Sequence, residues 1–529
     1  MTRPTLRCPP THSKDFPVLH ARLSISRDDV VAPVSPRLFG SFVEHMGRAV
    51  YTGIYEPGHP TADPNGFRQD VLDLVRELNP SLIRYPGGNF VSGFRWEDSV
   101  GPRDERPTRL DIAWHSVETN EVGLHEFAEW ADAAGVEIMQ AVNLGTRGIQ
   151  DAAALLEYSN HAAGTALADQ RRANGRTEPF GIRVWCLGNE MDGPWQIGHK
   201  TAHEYGRLAA ETARVMKWVD PAIELVVAGS SNAEMPTFGS WERTVLEHTA
   251  ELVDHISLHA YYEETPGDLG SFLASGAGLD RYIGAVAQII DEVTVAKGLE
   301  KTIGISVDEW NVWYQTRFNE VDKAPLFAGD WNTQPRLIED EYNVSDAVVV
   351  GSLLITLLRN SDRVSMANLA QLVNVIAPIR SEPAGPAWRQ TTFFPFALTA
   401  AAARGEVLAA TIHSDTYHTS RHGTVDLVDA AVTATDEEIV LFLVNRSSSS
   451  PLTLEVDLAG APAGSVLSAK SLHAPQGGDR FSTNARDHQE TVQPAPLTAV
   501  SVSDDGTAAT VVLPALSWSI VRLSARSAA

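Results

Sequence analysis

The chain has 529 residues, 43% of them hydrophobic, which is enough for a large soluble core and favours two domains over one. Its formal net charge of −25 repels phosphate backbones and argues against a nucleic-acid partner. Its two cysteines, Cys8 and Cys186, can build neither a disulfide framework nor a cysteine metal site, and Cys186 lies in an apolar run that reads as a buried, inert thiol.

The first residues, Met1 to Asp15, are polar and contain proline. They lack the apolar stretch of a secretory signal, so a cytoplasmic protein is expected. Leu19–Ser26 alternates apolar and polar residues, and segment 1–36 is expected to add a strand to a distant β domain. Apolar, β-branched runs then alternate with segments of helical period. The predicted strands are Leu38–Glu44, Leu82–Pro86, Val136–Leu144, Arg183–Glu190, Leu225–Ser230, His255–Tyr261, Thr302–Glu309 and Ser365–Leu372. The predicted helices are Phe67–Leu78, Glu121–Ala134, Ala152–Gly164, His203–Val219, Thr237–Ala250, Leu279–Ala296 and Ser345–Arg359, with Gly135 and Pro221 as stop signals. Val344–Leu358 is too short for a membrane span and carries Ser345 and Asp346, so it reads as a buried helix and no membrane association is expected.

Repeated βα units of this kind predict an α/β fold, a (β/α)8 TIM barrel over residues 37–404. An open doubly wound sheet is the alternative, but it usually carries a glycine-rich phosphate loop after the first strand. Here that strand runs into Gly40-Ser41-Phe42-Val43-Glu44-His45, and Gly276-Ala277-Gly278 lacks the third glycine. After Arg404 the pattern changes to short alternating runs: Thr424–Val428, Ile439–Val444, Leu452–Leu458, Val466–Leu472, Ala499–Val502 and Ala509–Leu513. Turn residues separate them, which predicts a C-terminal all-β, jelly-roll-like sandwich over 405–529.

The predicted barrel strands end in polar or ionisable residues: Glu44, Arg84, Asn143, Glu190, Ser230, His259 with Tyr261, Glu309 and Gln371. Any one of them could be an ordinary strand terminus. As a set they converge on the C-terminal mouth of a barrel, where such folds place their chemistry. Glu190, after Asn189 on strand four, and Glu309, after Asp308 on strand seven, are a pair of carboxylates suited to glycoside hydrolysis. One would protonate the leaving oxygen; the other would attack the sugar carbon or activate water. No His-x-His or His-Glu-x-x-His arrangement occurs, so neither metal nor cofactor is expected.

The motifs Phe42-Val43-Glu44-His45, Ile83–Phe90, Trp185–Glu190, Ser257–Tyr262, Asp308–Trp313 and Ala367–Gln371 span the whole predicted barrel in order. Together they resemble the α-L-arabinofuranosidases of glycoside hydrolase family 51. The resemblance implies that Glu190 is the acid/base and Glu309 the nucleophile of a retaining, exo-acting enzyme. It implies that Glu44, Arg84, Asn89, Asn189, His259, Tyr261 and Gln371 shape the sugar site, with Trp313 as a wall. Its substrates would be arabinofuranosyl oligosaccharides derived from arabinan or arabinoxylan, and the chain would be a homo-oligomer, often a hexamer. A β-xylosidase, an endo-β-glucanase on the same barrel, or a non-catalytic carbohydrate-binding protein are the competing readings.

Overall fold

The computed structural model describes residues 19–526. The expectations placed on residues 1–18, including Cys8 and the absence of a leader, lie outside the described residues.

Eight parallel strands close into a barrel in chain order: Gly40–Phe42, Leu82–Tyr85, Glu137–Val142, Val184–Leu187, Glu224–Val227, His255–Tyr262, Gly304–Val312 and Val364–Leu369. Ser41 pairs with Ile83 on one side and with Leu369 on the other, which completes the ring. Alternate residues face inward, so Leu82, Met139, Val184, Cys186, Val226 and Met366 fill the interior as a packed core rather than a pore. Cys186 is buried there and burial pushes its thiol up, in keeping with an inert sulfur.

The helices follow the predicted periodicity, with shifted ends. Val71, Leu72, Val75 and Leu78 form the buried face of Gln69–Leu78. That helix starts after Phe67 and Arg68 because both are held in β-bridges, to Tyr55 and Ala62. Gly135 ends Leu124–Ala134 in the left-handed conformation. The predicted helix Ala152–Gly164 is instead Ile149–Asn160, and Thr165 caps a separate helix, Ala166–Ala173. Val344–Arg359 is buried along nearly its whole length, and no helix of the described residues is long and apolar enough to cross a membrane.

The C-terminal β-sandwich is one continuous ten-stranded sheet around a second apolar core that includes Leu23, Leu441, Leu454, Val511 and Leu523. Leu19–Pro33 lies inside this sheet, antiparallel to Glu406–Ser414 and parallel to Leu452–Gly460. Three of its strands are not among the predicted runs: Glu406–Ser414, the two-residue Ala495–Pro496 and Ser517–Ala525. Glu406–Ser414 contains Ala409-Ala410, a pair of weak strand formers. In Ser517–Ala525 the first five residues are buried on both faces, which erases alternation. The run Thr424–Val428 spans two elements: Gly423–Asp426 pairs with Thr416–Thr419 in a separate hairpin, and Val428 opens the next sheet strand. Trp518 packs on Gly351 of the buried helix, where a Cβ would sit 2.1 Å from the indole. Buried Asp429 there takes Arg446 at 2.5 Å and Arg359 at 2.7 Å, an ion-pair cluster at the seam between barrel and sandwich.

Candidate active site

Glu309 lies within strand seven, opposite His259 of strand six. The register passes from Val307–Leu258 directly to Glu309–His259, so Asp308 has no partner and forms a bulge. In an unbroken strand, residues 308 and 309 would face opposite sides. Here both carboxylates face Arg84: its Nη1 donates to Glu309 Oε1 at 2.7 Å, and its Nε lies 3.6 Å from Asp308 Oδ2. The Tyr261 hydroxyl donates to the other Glu309 oxygen at 2.7 Å.

Glu190 is not at the end of strand four, as the sequence suggests. The strand stops at Leu187, and Gly188 (φ 87°) and Glu190 itself (φ 44°) adopt left-handed backbone in the turn that follows. This turn aims Glu190 at the barrel axis, where Oε1 lies 2.9 Å from His259 Nδ1 and Oε2 accepts from the Trp195 indole at 2.6 Å. The same His259 nitrogen is 3.5 Å from Glu309 Oε2. One oxygen from each carboxylate and the imidazole nitrogen therefore lie within 4.8 Å of one another. The glutamate side chains keep 11% and 7% of their exposure, so both can be reached from the mouth.

The remaining predicted residues surround this pair. Arg84 Nη2 donates to Asn189 Oδ1 at 2.6 Å, and Asn189 lies 3.5 Å from Asn89. Glu44 accepts from the Trp114 indole at 2.7 Å and the Phe90 amide at 2.9 Å, and exchanges hydrogen bonds with Gln371 at 3.1 and 3.3 Å. Arg84 thus serves Glu309 and Asn189 rather than Glu44. Trp313 packs edge-on against Tyr261 with ring centres 5.1 Å apart, and its indole N–H has no partner among the described residues. Asn143 and Ser230 do not join the cluster: Asn143 caps its own loop through Gly145 and Thr146, and the Ser230 amide donates to Glu242.

Gly87 and Gly88 leave space for neighbouring side chains. Both have positive φ, and a Cβ on Gly88 would meet the Glu44 carboxyl carbon at 2.1 Å. A Cβ on Gly87 would meet the Phe42 ring at 1.8 Å. The turn makes room for protein side chains that hold the site.

The charges settle unequally. Burial alone would raise Glu309, but the His259 and Arg84 charges and the Tyr261 hydroxyl outweigh it and hold the carboxyl below its usual value. Burial raises Glu44 well above the usual range, against its hydrogen bonds from Phe90 and Trp114. Burial likewise raises Asp308 despite Arg84. For His259 burial favours the neutral ring, but Glu309 and Glu190 prevail and shift it upward. Glu190, His259 and Glu309 are also spaced to hold a cation, but the Arg84 guanidinium 2.7 Å from Glu309 opposes one there.

Three contributors are absent from the residues predicted from sequence. Trp114 lies between the short strands Arg109–Asp111 and Ser116–Glu118, far along the chain from Glu44. Trp195 was legible: an aromatic in Gly193-Pro194-Trp195, close behind a candidate acid, signals a loop with a purpose. Asp308 faces inward beside Glu309 because the bulge turns both residues to one side, which period-2 reasoning does not foresee.

Known proteins resemble this chain along most of its length. Residues 74–276 match the family model described as the α-L-arabinofuranosidase 1 domain, and residues 308–517 match the α-L-arabinofuranosidase C-terminal domain. The chain is 54% identical to an intracellular exo-α-(1→5)-L-arabinofuranosidase of Streptomyces lividans, over 95% of this chain and 75% of that protein. It is 53% identical to an exo-α-(1→6)-L-arabinofuranosidase of Bifidobacterium longum, over 95% and 97% of the two chains. Among solved structures, AbfB, a family 51 α-L-arabinofuranosidase from Bifidobacterium longum, superposes with a TM-score of 0.91 at 48% identity, over 96% of this chain and all 100% of that one.

Proposed function

This chain belongs to glycoside hydrolase family 51, the α-L-arabinofuranosidases, and from that premise we propose that it releases single terminal α-L-arabinofuranosyl residues by double displacement, with Glu190 as acid/base and Glu309 as nucleophile. The observation that carries these roles is that one oxygen of each carboxylate lies within 4.8 Å of the other beside one imidazole nitrogen. Retaining glycosidases hold their carboxyl groups about 5–5.5 Å apart, whereas inverting ones leave roughly 6.5–9.5 Å for a water.

Glu190 donates its proton to the leaving oxygen while Glu309 attacks the anomeric carbon. The C–O bond to the leaving group breaks as the bond to Glu309 forms. Glu190, now a carboxylate, takes a proton from water, which displaces Glu309 and frees arabinose with its configuration retained. His259, Arg84 and Tyr261 keep Glu309 ionised before attack. Glu44, Asn89, Asn189 and Gln371 offer hydrogen bonds to the sugar, and Trp313 offers an apolar face. Proton NMR of the sugar first released from an aryl α-L-arabinofuranoside tests this. Retained arabinose supports it; the inverted anomer, or turnover of xylosides alone, overturns it.

Relatives of nearly equal identity are named for 1→5 and 1→6 linkages, so overall likeness does not select a linkage. We infer short oligosaccharides from arabinan or arabinoxylan as substrates. The names of several relatives as intracellular enzymes support an intracellular setting. The homo-oligomer implied by family resemblance belongs to the same proposal, and light scattering of the purified chain would test it.

A further inference from the structure

The two carboxylates divide the mouth of the barrel. Glu44, Arg84, Asn89 and Gln371 belong to strands one, two and eight or the loops after them, all on one side of a line from Glu190 to Glu309. On the other side, the loops after strands five and six surround a cavity of about 290 Å³. His259 and Tyr261, which bond Glu190 and Glu309, contribute to its wall. Farther out it is lined by Phe238, Tyr262, Glu234, Asp268, Arg281 and Arg421.

Arg421 comes from the sandwich. The hairpin of Thr416–Thr419 and Gly423–Asp426 leaves that domain and lies on the barrel helices Leu269–Leu273 and Ser275–Lys297. The Tyr417 hydroxyl donates to the Gly270 carbonyl at 3.0 Å, Ser420 meets Ser271 at 3.1 Å, and Arg281 donates to His422 Nδ1 at 3.0 Å. These contacts fix the hairpin tip beside the cavity. Among the described residues, the Arg421 side chain has only a loose pairing with Glu234, at 3.9 Å, and it keeps 53% of its exposure.

We propose that this cavity receives the far end of the leaving group, the neutral pentose one sugar beyond the scissile bond: neither Glu190 nor Glu309 lines it, but His259 and Tyr261, which bond them, do. The proposal rests on the activity proposed above. A sugar bound among Glu44, Asn89 and Gln371 places its scissile bond between Glu190 and Glu309, and the rest of the oligosaccharide extends toward strands five and six. The lining suits an uncharged polyol: Arg281 and Arg421 are balanced by Glu234 and Asp268, and Phe238 and Tyr262 present aromatic faces. The charges of Glu234, Arg281 and Arg421 surround Tyr262.

The test compares kcat/KM for an α-1,5-linked arabinotriose with that for an aryl α-L-arabinofuranoside, in the full chain and in Arg421→Ala and Tyr262→Phe. Loss of a charge-assisted hydrogen bond to the second sugar lowers the triose-to-aryl ratio roughly tenfold in Arg421→Ala. Tyr262→Phe lowers it by a smaller factor. An unchanged ratio in both variants, with a normal parent, overturns the subsite alone. An equal fall on both substrates accompanied by a lower Tm assigns the hairpin to stability and also overturns it. A parent inactive on both substrates overturns the proposed activity and the subsite with it.

Discussion

Tyr261 donates its hydroxyl to Glu309 at 2.7 Å, on the carboxylate oxygen that Arg84 leaves free. Each oxygen of the proposed nucleophile therefore has its own donor, and both donors favour the ionised form. Tyr261→Phe removes one of them and nothing else. Because the hydroxyl lowers the Glu309 pKa, its loss raises it, and the acid limb of kcat/KM moves to higher pH by about one unit. A pH profile of aryl arabinofuranoside hydrolysis checks this; a limb that stays in place or moves down contradicts it.

Glu190→Ala separates acid from base chemistry. Substrates with poor leaving groups need the proton, so their turnover falls by about 10³-fold, within the usual range for general acid catalysis. Substrates with activated aryl leaving groups form the glycosyl-enzyme without help and lose far less in that first step. Added azide, which needs no deprotonation to attack, restores turnover and yields the arabinosyl azide. Uniform loss across leaving groups, with no azide rescue, is the contrary result.

Gly88 occupies left-handed backbone against the Glu44 carboxyl. Gly88→Ala meets both a backbone cost of about 1–2 kcal/mol and a direct collision at Glu44. Thermal unfolding shows a lower Tm, and activity falls further than stability because Glu44 is displaced. A variant with the Tm and kcat/KM of the parent contradicts this account of the turn.

Much of this was legible in the chain. The eight barrel strands show as apolar runs because both faces of a parallel strand are buried, and the residues after them converge because the barrel gathers its C-terminal ends. The local backbone was not legible. Glu190 reaches the axis through left-handed residues beyond its strand, and Glu309 does so through the bulge at Asp308. Trp114 reaches Glu44 from a hairpin whose position depends on tertiary packing. Strand Ser517–Ala525 was hidden because the buried helix Val344–Arg359, with Gly351 against Trp518, covers its outer face.

The most direct test of the central claim is to trap the glycosyl-enzyme with an activated 2-fluoro arabinofuranoside and locate the label by peptide mass spectrometry. The account predicts one arabinosyl ester, on Glu309, and none in Glu309→Ala, whose turnover falls by at least about 10⁴-fold. A label on any other residue, or an active enzyme that forms no adduct and releases inverted sugar, would contradict it.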